Sequence, residues 1–158
     1  MKRMKISNDF FHSAFEAAPS AMVIVDKKGN IIVVNSQTEK LFGYGREELI
    51  GRSVEILVPQ RYRDKHPIYR EDFYSNPQTR PMGMGRDLYG LRKNGSEFLI
   101  EIGLNPIQTE KGMMVLSAIV DITERKRAEE ALEKYSHDLE RSEEKFRLVV
   151  ESAPMRWS

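Results

Sequence analysis

Arg86-Asp87-Leu88-Tyr89-Gly90-Leu91-Arg92, then Lys93-Asn94-Gly95-Ser96, then Glu97-Phe98-Leu99-Ile100-Glu101-Ile102-Gly103-Leu104 is the stretch on which the fold turns. Its period is two, as in a half-buried strand. At its middle stands Asn-Gly, the pair that best accepts the positive φ angles of a tight hairpin. The stretch therefore predicts two antiparallel strands, 86–92 and 97–104.

The same signals recur on both sides. Downstream, Glu110-Lys111-Gly112 reads as a turn and Met113 to Val120 as a last, strongly apolar strand. Upstream, Ala21 to Asp26 and Ile31 to Asn35 are β-branched runs around Lys27-Lys28-Gly29-Asn30, which predicts a first hairpin. Between the two hairpins the pattern turns helical and broken. Leu41 and Phe42 close one piece, Gly43 and Gly45 interrupt, Glu47 to Ile50 forms another, and Gly51 interrupts again. A longer helix follows Pro59 and stops near Ser75-Asn76-Pro77. Two strands, several short helices, then three strands describe an α+β fold, a five-stranded antiparallel sheet with helices on one face.

Helices are expected at both ends. Phe10, Phe11, Ala14, Phe15 and Ala18 make an apolar stripe, with Asn8 or Asp9 as cap and Pro19 as stop. Asp121 with Glu124 three residues later resembles a capping box, and Arg125 to about Arg147 holds no Gly or Pro. Ala128, Leu132, Tyr135, Leu139, Ser142 and Phe146 step alternately by four and three, which is a heptad seam. One helix cannot bury that seam by itself, so a homodimer is expected, with Phe11, Phe15, Leu132, Tyr135 and Leu139 at its interface. A helix folded back on its own sheet is the other way to cover the seam.

Phe11 to Pro19 also reappears as Phe146 to Pro154, keeping the Phe, the Glu and the Ala-Pro. The expected organisation is an N-terminal helix over 1–19, an α+β domain over 20–122 and a coiled-coil helix over 123–146. Residues 147–158 would begin a second, truncated repeat and end in a vector-derived tail.

Composition narrows the function. The 158 residues carry a net charge of +1, which gives no electrostatic reason to expect nucleic acid or an anionic membrane. There is no cysteine, which removes disulfides, thiolate metal sites and cysteine nucleophiles. No apolar run approaches the roughly 18 residues of a membrane span, and no signal peptide is visible, so a cytoplasmic location without membrane contact is expected.

Five short motifs, in order, resemble the PAS family of sensor domains. They are Ala17-Ala18-Pro19-Ser20-Ala21, Asn35 to Tyr44, Glu47 to Arg52, Arg92 to Phe98, and Asp121-Ile122-Thr123-Glu124-Arg125. The resemblance covers about Phe10 to Arg125. It implies a ligand pocket between the sheet and the connecting helices, and dimers that regulate a covalently linked output domain such as a histidine kinase. It also implies a regulatory module and not an enzyme.

Within that family, Leu57 to Tyr69 is similar to the haem-binding PAS oxygen sensors of rhizobial nitrogen-fixation kinases. That similarity puts His66 at the proximal iron ligand and Arg86, within Met82-Gly83-Met84-Gly85-Arg86, opposite it. Met84 joins the cofactor-binding set, Ile102 and Leu104 line the distal side, and Arg80 or another basic residue at the mouth would pair with a propionate. Haem b is the cofactor so implied; the alternatives are no ligand, another small molecule or a flavin, for which no distinct residue pattern is present. Chemically, a neutral imidazole supplies an axial bond, a guanidinium hydrogen-bonds a polarised diatomic ligand, and apolar walls slow water entry.

Two rival functions remain from the residues. A constitutive dimerisation spacer with no ligand would fill its pocket with Met and Phe side chains. A phosphotransfer fragment would use His137 in Ser136-His137-Asp138-Leu139, although the proline that usually follows such a box is absent.

Overall fold

The structure is a computed structural model that describes residues 8–78, 80–81 and 87–152. Met84 and Arg86, and the Ala153-Pro154 end of the repeat with the tail after it, lie outside the described residues.

The chain divides into two units, Met1–Ile122 and Thr123–Ser158. In the first, α1 (Asn8–Ala17) precedes the hairpin of β1 (Ala21–Val25) and β2 (Ile31–Val34). Next come α2 (Ser36–Phe42), α3 (Arg46–Leu49), two 3-10 turns at Val54–Leu57 and Gln60–Tyr62, and α4 (His66–Ser75). β3 (Arg80–Pro81), β4 (Leu88–Leu91), β5 (Glu97–Thr109) and β6 (Gly112–Asp121) complete the unit.

The sheet runs β2-β1-β6-β5-β3, and β4 also pairs with β5. β3 meets β5 at Leu104 and Gly103, and β4 meets it from Ile100 to Glu97, so the two short strands share one lane. Five lanes, all antiparallel, result. The predicted hairpin at Asn94-Gly95 is there, with Gly95 at φ 87°.

Some boundaries differ from the pattern reading, among them the helix expected after Pro59, which starts only at His66. β5 continues past Leu104 to Thr109, because β6 pairs with it in unbroken register from Ile100↔Asp121 to Thr109↔Gly112. Pro106 sits beyond the β3 pairing, where a missing N–H is tolerated at a strand edge. The strand before the Asn-Gly turn is shorter than predicted, Leu88–Leu91.

The core lies between the helices and one face of the sheet. Val23, Val25, Ile31, Val34, Phe42, Leu49, Leu57, Phe73, Phe98, Ile100, Val115 and Ile119 are all buried there. Alternation explains which residues point in: Val23 and Val25 on β1, Val115 and Ile119 on β6, Phe98 and Ile100 on β5. Phe42 and Phe98 meet edge to face at 5.4 Å. Gly90 makes that possible, since a Cβ there would stand 3.0 Å from the Phe98 ring and 3.1 Å from that of Phe42.

Asn35 joins the pieces. Its fully buried Oδ1 accepts from the N–H groups of Met22 (2.9 Å) and Thr38 (3.1 Å) and from the Thr38 hydroxyl (2.9 Å). Its Nδ2 donates to the carbonyls of Phe15 (3.1 Å) and Ser20 (3.0 Å). One side chain thus caps α2 and ties it to β1 and to the end of α1. Beside it Glu16 accepts from the N–H and hydroxyl of Ser36 and pairs with Arg46 at 2.6 Å. These bonds, Arg46 first and then Ser36, hold the Glu16 carboxyl down at about 2.

The second unit is a single helix, α5 (Thr123–Ser152). It continues beyond the expected 146, as the lack of Gly or Pro before Pro154 allows. None of its residues is buried. Among the described residues no helix is long and apolar enough to cross a membrane.

Candidate functional site

His66 is the first residue of α4. Pro67 follows it in the first turn, where a residue without an N–H forfeits no helical bond. Its side chain is 14% exposed, and its Nδ1 lies 3.0 Å from Oε1 of Glu55. Glu55 belongs to the 3-10 turn Val54–Leu57, which Ser53 caps. The same Oε1 accepts from Arg70 at 3.0 Å, and Oε2 takes the Ser53 hydroxyl.

α4 presents His66, Arg70 and Tyr74 at helical i, i+4, i+8 spacing, so the three share a face. Arg70 reaches past Glu55 to Gly29, where the space for any Cβ is filled by its guanidinium. Tyr74 donates to the Asp26 carbonyl at 2.6 Å. Asp26 in turn accepts from the N–H groups of Lys28 and Asn30, which fixes the β1–β2 turn. The helix is thus stitched to the first hairpin and to the Val54–Leu57 turn by one polar line.

Burial raises the Glu55 carboxyl, but the His66 and Ser53 hydrogen bonds and the Arg70 charge outweigh it, leaving the group below the usual carboxylate range. Burial and then the Asp26 charge push the Tyr74 phenol up.

The expected wall residues, Ile102 and Leu104, stand on the core-facing side of β5, opposite Ile119 and Ser117. Both are half-buried and pack against the core cluster that includes Phe73 of α4. His66 lies seven residues before Phe73, about two turns along the same helix.

At the candidate interfaces, Phe11 is 61% exposed, Leu132 68%, Tyr135 67% and Leu139 46%, while Phe15 is partly covered. His137 is exposed on α5. A surface cleft of about 230 Å³ lies elsewhere, between the end of α2 and the β4–β5 turn, lined by Lys40, Gly43, Arg92 and Lys93 among others.

The residues that sequence reasoning missed are the partners: Glu55, Arg70, Tyr74 and Asn35. A signal existed for two of them, because Arg70 and Tyr74 repeat His66 at helical spacing. Glu55 carries none, since it sits on a different element.

One imidazole from this chain suffices as a protein ligand to haem iron, and a ligating histidine ordinarily gives its other ring N–H to a carboxylate or carbonyl. His66 meets that requirement through Glu55, and its Nε2 meets no hydrogen-bond partner among the described residues. The donor set fits.

A family model described as "PAS domain" matches residues 19–124. The chain is 27% identical over 127 residues to Sensor protein FixL of Bradyrhizobium diazoefficiens, covering 80% of this chain and 25% of that protein. It is 29% identical over 115 residues to Oxygen sensor protein DosP of Escherichia coli, covering 73% and 14%. The PAS domain of a protein from Colwellia psychrerythraea superposes with a TM-score of 0.63 at 26% identity, over 73% of this chain and 97% of that one. The chain therefore spans a quarter or less of these curated relatives.

Proposed function

The chain belongs to the PAS domain family, and on that premise we propose that it is a sensory input module. In this reading occupancy of the helix–sheet interior is relayed through α5 to a covalently linked output domain of the histidine-kinase class. The observation that carries this is continuity. β6, paired with β5 along its whole length, ends at Asp121, and α5 begins at Thr123, so only Ile122 intervenes. Its N–H bonds to the Leu99 carbonyl at 3.0 Å, holding the end of β6 to β5. Relay needs two states of the domain that differ in ligand affinity.

The ligand proposed is haem b. When bound, haem supplies an iron able to take a diatomic gas. His66 would hold it through Nε2, Ile102 and Leu104 would keep water from it, and Arg86, outside the described residues, is the hydrogen-bond donor that the family resemblance suggests for the gas. Kinship with an oxygen sensor supports the reading. The test is an absorption spectrum of protein purified after haem supplementation. A Soret band that His66→Ala abolishes is expected, and its absence from the wild type would overturn the haem assignment.

The exposed seam of α5 and the exposed Phe11 support a homodimer through both terminal helices. A constitutive spacer is the second reading, favoured by the close filling of the interior by Phe42, Phe73, Phe98 and Leu57. It predicts colourless protein and the same dimer.

A further inference from the structure

Glu55 has a carboxylate whose two oxygens are both engaged, and the arrangement leaves one role for the histidine beside it. We infer that Glu55 is the positioning residue of His66, fixing the imidazole as the Nδ1–H tautomer so that the Nε2 lone pair is the one offered to iron. The inference rests on the haem reading for its purpose, but not for its geometry.

Arg70 stands 3.0 Å from Oε1, so the carboxylate is an ionised, acceptor-only group. A nitrogen 3.0 Å from that same oxygen must then carry a proton, and the nitrogen is His66 Nδ1. In a neutral imidazole the other nitrogen is left with its lone pair. The carboxylate cannot swing away, because Ser53 holds Oε2 and the guanidinium of Arg70 is backed by Gly29. The ring cannot easily swing either, being mostly buried at the start of α4. Tautomer and direction are therefore set by Glu55, itself held by Ser53 and Arg70, before any ligand arrives. Without Glu55, an imidazole would be free to carry its proton on Nε2, and coordination would first require moving it.

The experiment is long-range ¹H–¹⁵N correlation on ¹⁵N-labelled, ligand-free protein at a pH where the histidines are neutral. His66 is expected as Nδ1–H, with the exposed His12 and His137 as internal references in the Nε2–H form. Glu55→Ala is expected to bring His66 over to Nε2–H, whereas Glu55→Gln, which keeps an acceptor oxygen, is expected to retain Nδ1–H. In haem-supplemented protein, Glu55→Ala should weaken binding roughly tenfold or more, the scale of lost outer-sphere partners. Should Glu55→Ala fail to fold, Arg70→Ala offers a second route, with partial loss of Nδ1–H expected.

Nε2–H at His66 in the wild type, or no change of tautomer in Glu55→Ala, overturns the inference. The two claims separate cleanly. A chain that holds Nδ1–H yet takes up no haem retires the cofactor and keeps the positioning role. A chain that takes up haem with His66 in the Nε2–H form does the reverse.

Discussion

Arg92 places its Nη2 3.3 Å from Oδ2 of Asp121, so the residue that follows β4 is paired with the residue that ends β6. The same guanidinium donates to the Leu41 carbonyl at 3.1 Å and lies 3.9 Å from the centre of the Phe98 ring. Three contacts of different kinds therefore converge on one side chain.

Their relative weights give the first prediction. The ion pair is about one-third exposed on each side, and such pairs contribute roughly 0–1 kcal/mol. The ring and backbone contacts add about 1–2 kcal/mol between them. Arg92→Ala is thus expected to cost about 1–3 kcal/mol in urea unfolding, and Asp121→Asn under about 1 kcal/mol. Equal losses for the two variants would show that the ion pair, and not the ring and carbonyl, dominates.

Acid sensitivity should trace to Glu16. Its carboxyl falls from the ordinary 4.5 to about 2 in the folded chain. A depressed carboxyl stabilises the fold above its unfolded value, and that contribution is lost as pH falls from about 4.5 towards about 2. Glu16→Gln is expected to flatten the stability-against-pH curve in that window and to lower stability at neutral pH, both read by chemical denaturation. A slope unchanged by the substitution would remove the Glu16–Arg46–Ser36 account.

Asn35 should be among the least replaceable residues. Asn35→Leu keeps the volume but strands two part-buried carbonyls and two N–H groups, at about 1–3 kcal/mol for the first group and less for each that water reaches. A total loss of roughly 3–4 kcal/mol is expected from equilibrium unfolding. A loss below about 1 kcal/mol would mean that the five bonds are replaced by solvent.

The proposed dimer rests on α5. Leu132→Glu with Leu139→Glu puts like charges on the seam of both copies, and sedimentation should then report monomers where the wild type reports dimers. A monomeric wild type at tens of micromolar would end the dimer proposal outright.

Much of this was legible in the residues alone, for a local reason. Strand and turn identity follow from the period-two runs around Lys27-Lys28-Gly29-Asn30 and Asn94-Gly95, because alternation and positive φ are properties of neighbouring residues. The long helix after Ile122 follows likewise from an uninterrupted helix-forming run, and the motif that draws attention to His66 is legible in the residues alone. What tertiary structure alone decided is who meets whom. Glu55 and His66 are separated by 11 residues and sit on different elements, so only the docking of α4 against the Val54–Leu57 turn puts a carboxylate on that imidazole. The length of β5 was decided in the same way, since Asn105 to Thr109 become strand because β6 offers them partners. Local propensity is written along the chain, whereas a shared proton or a ladder bond needs two distant segments held at one distance.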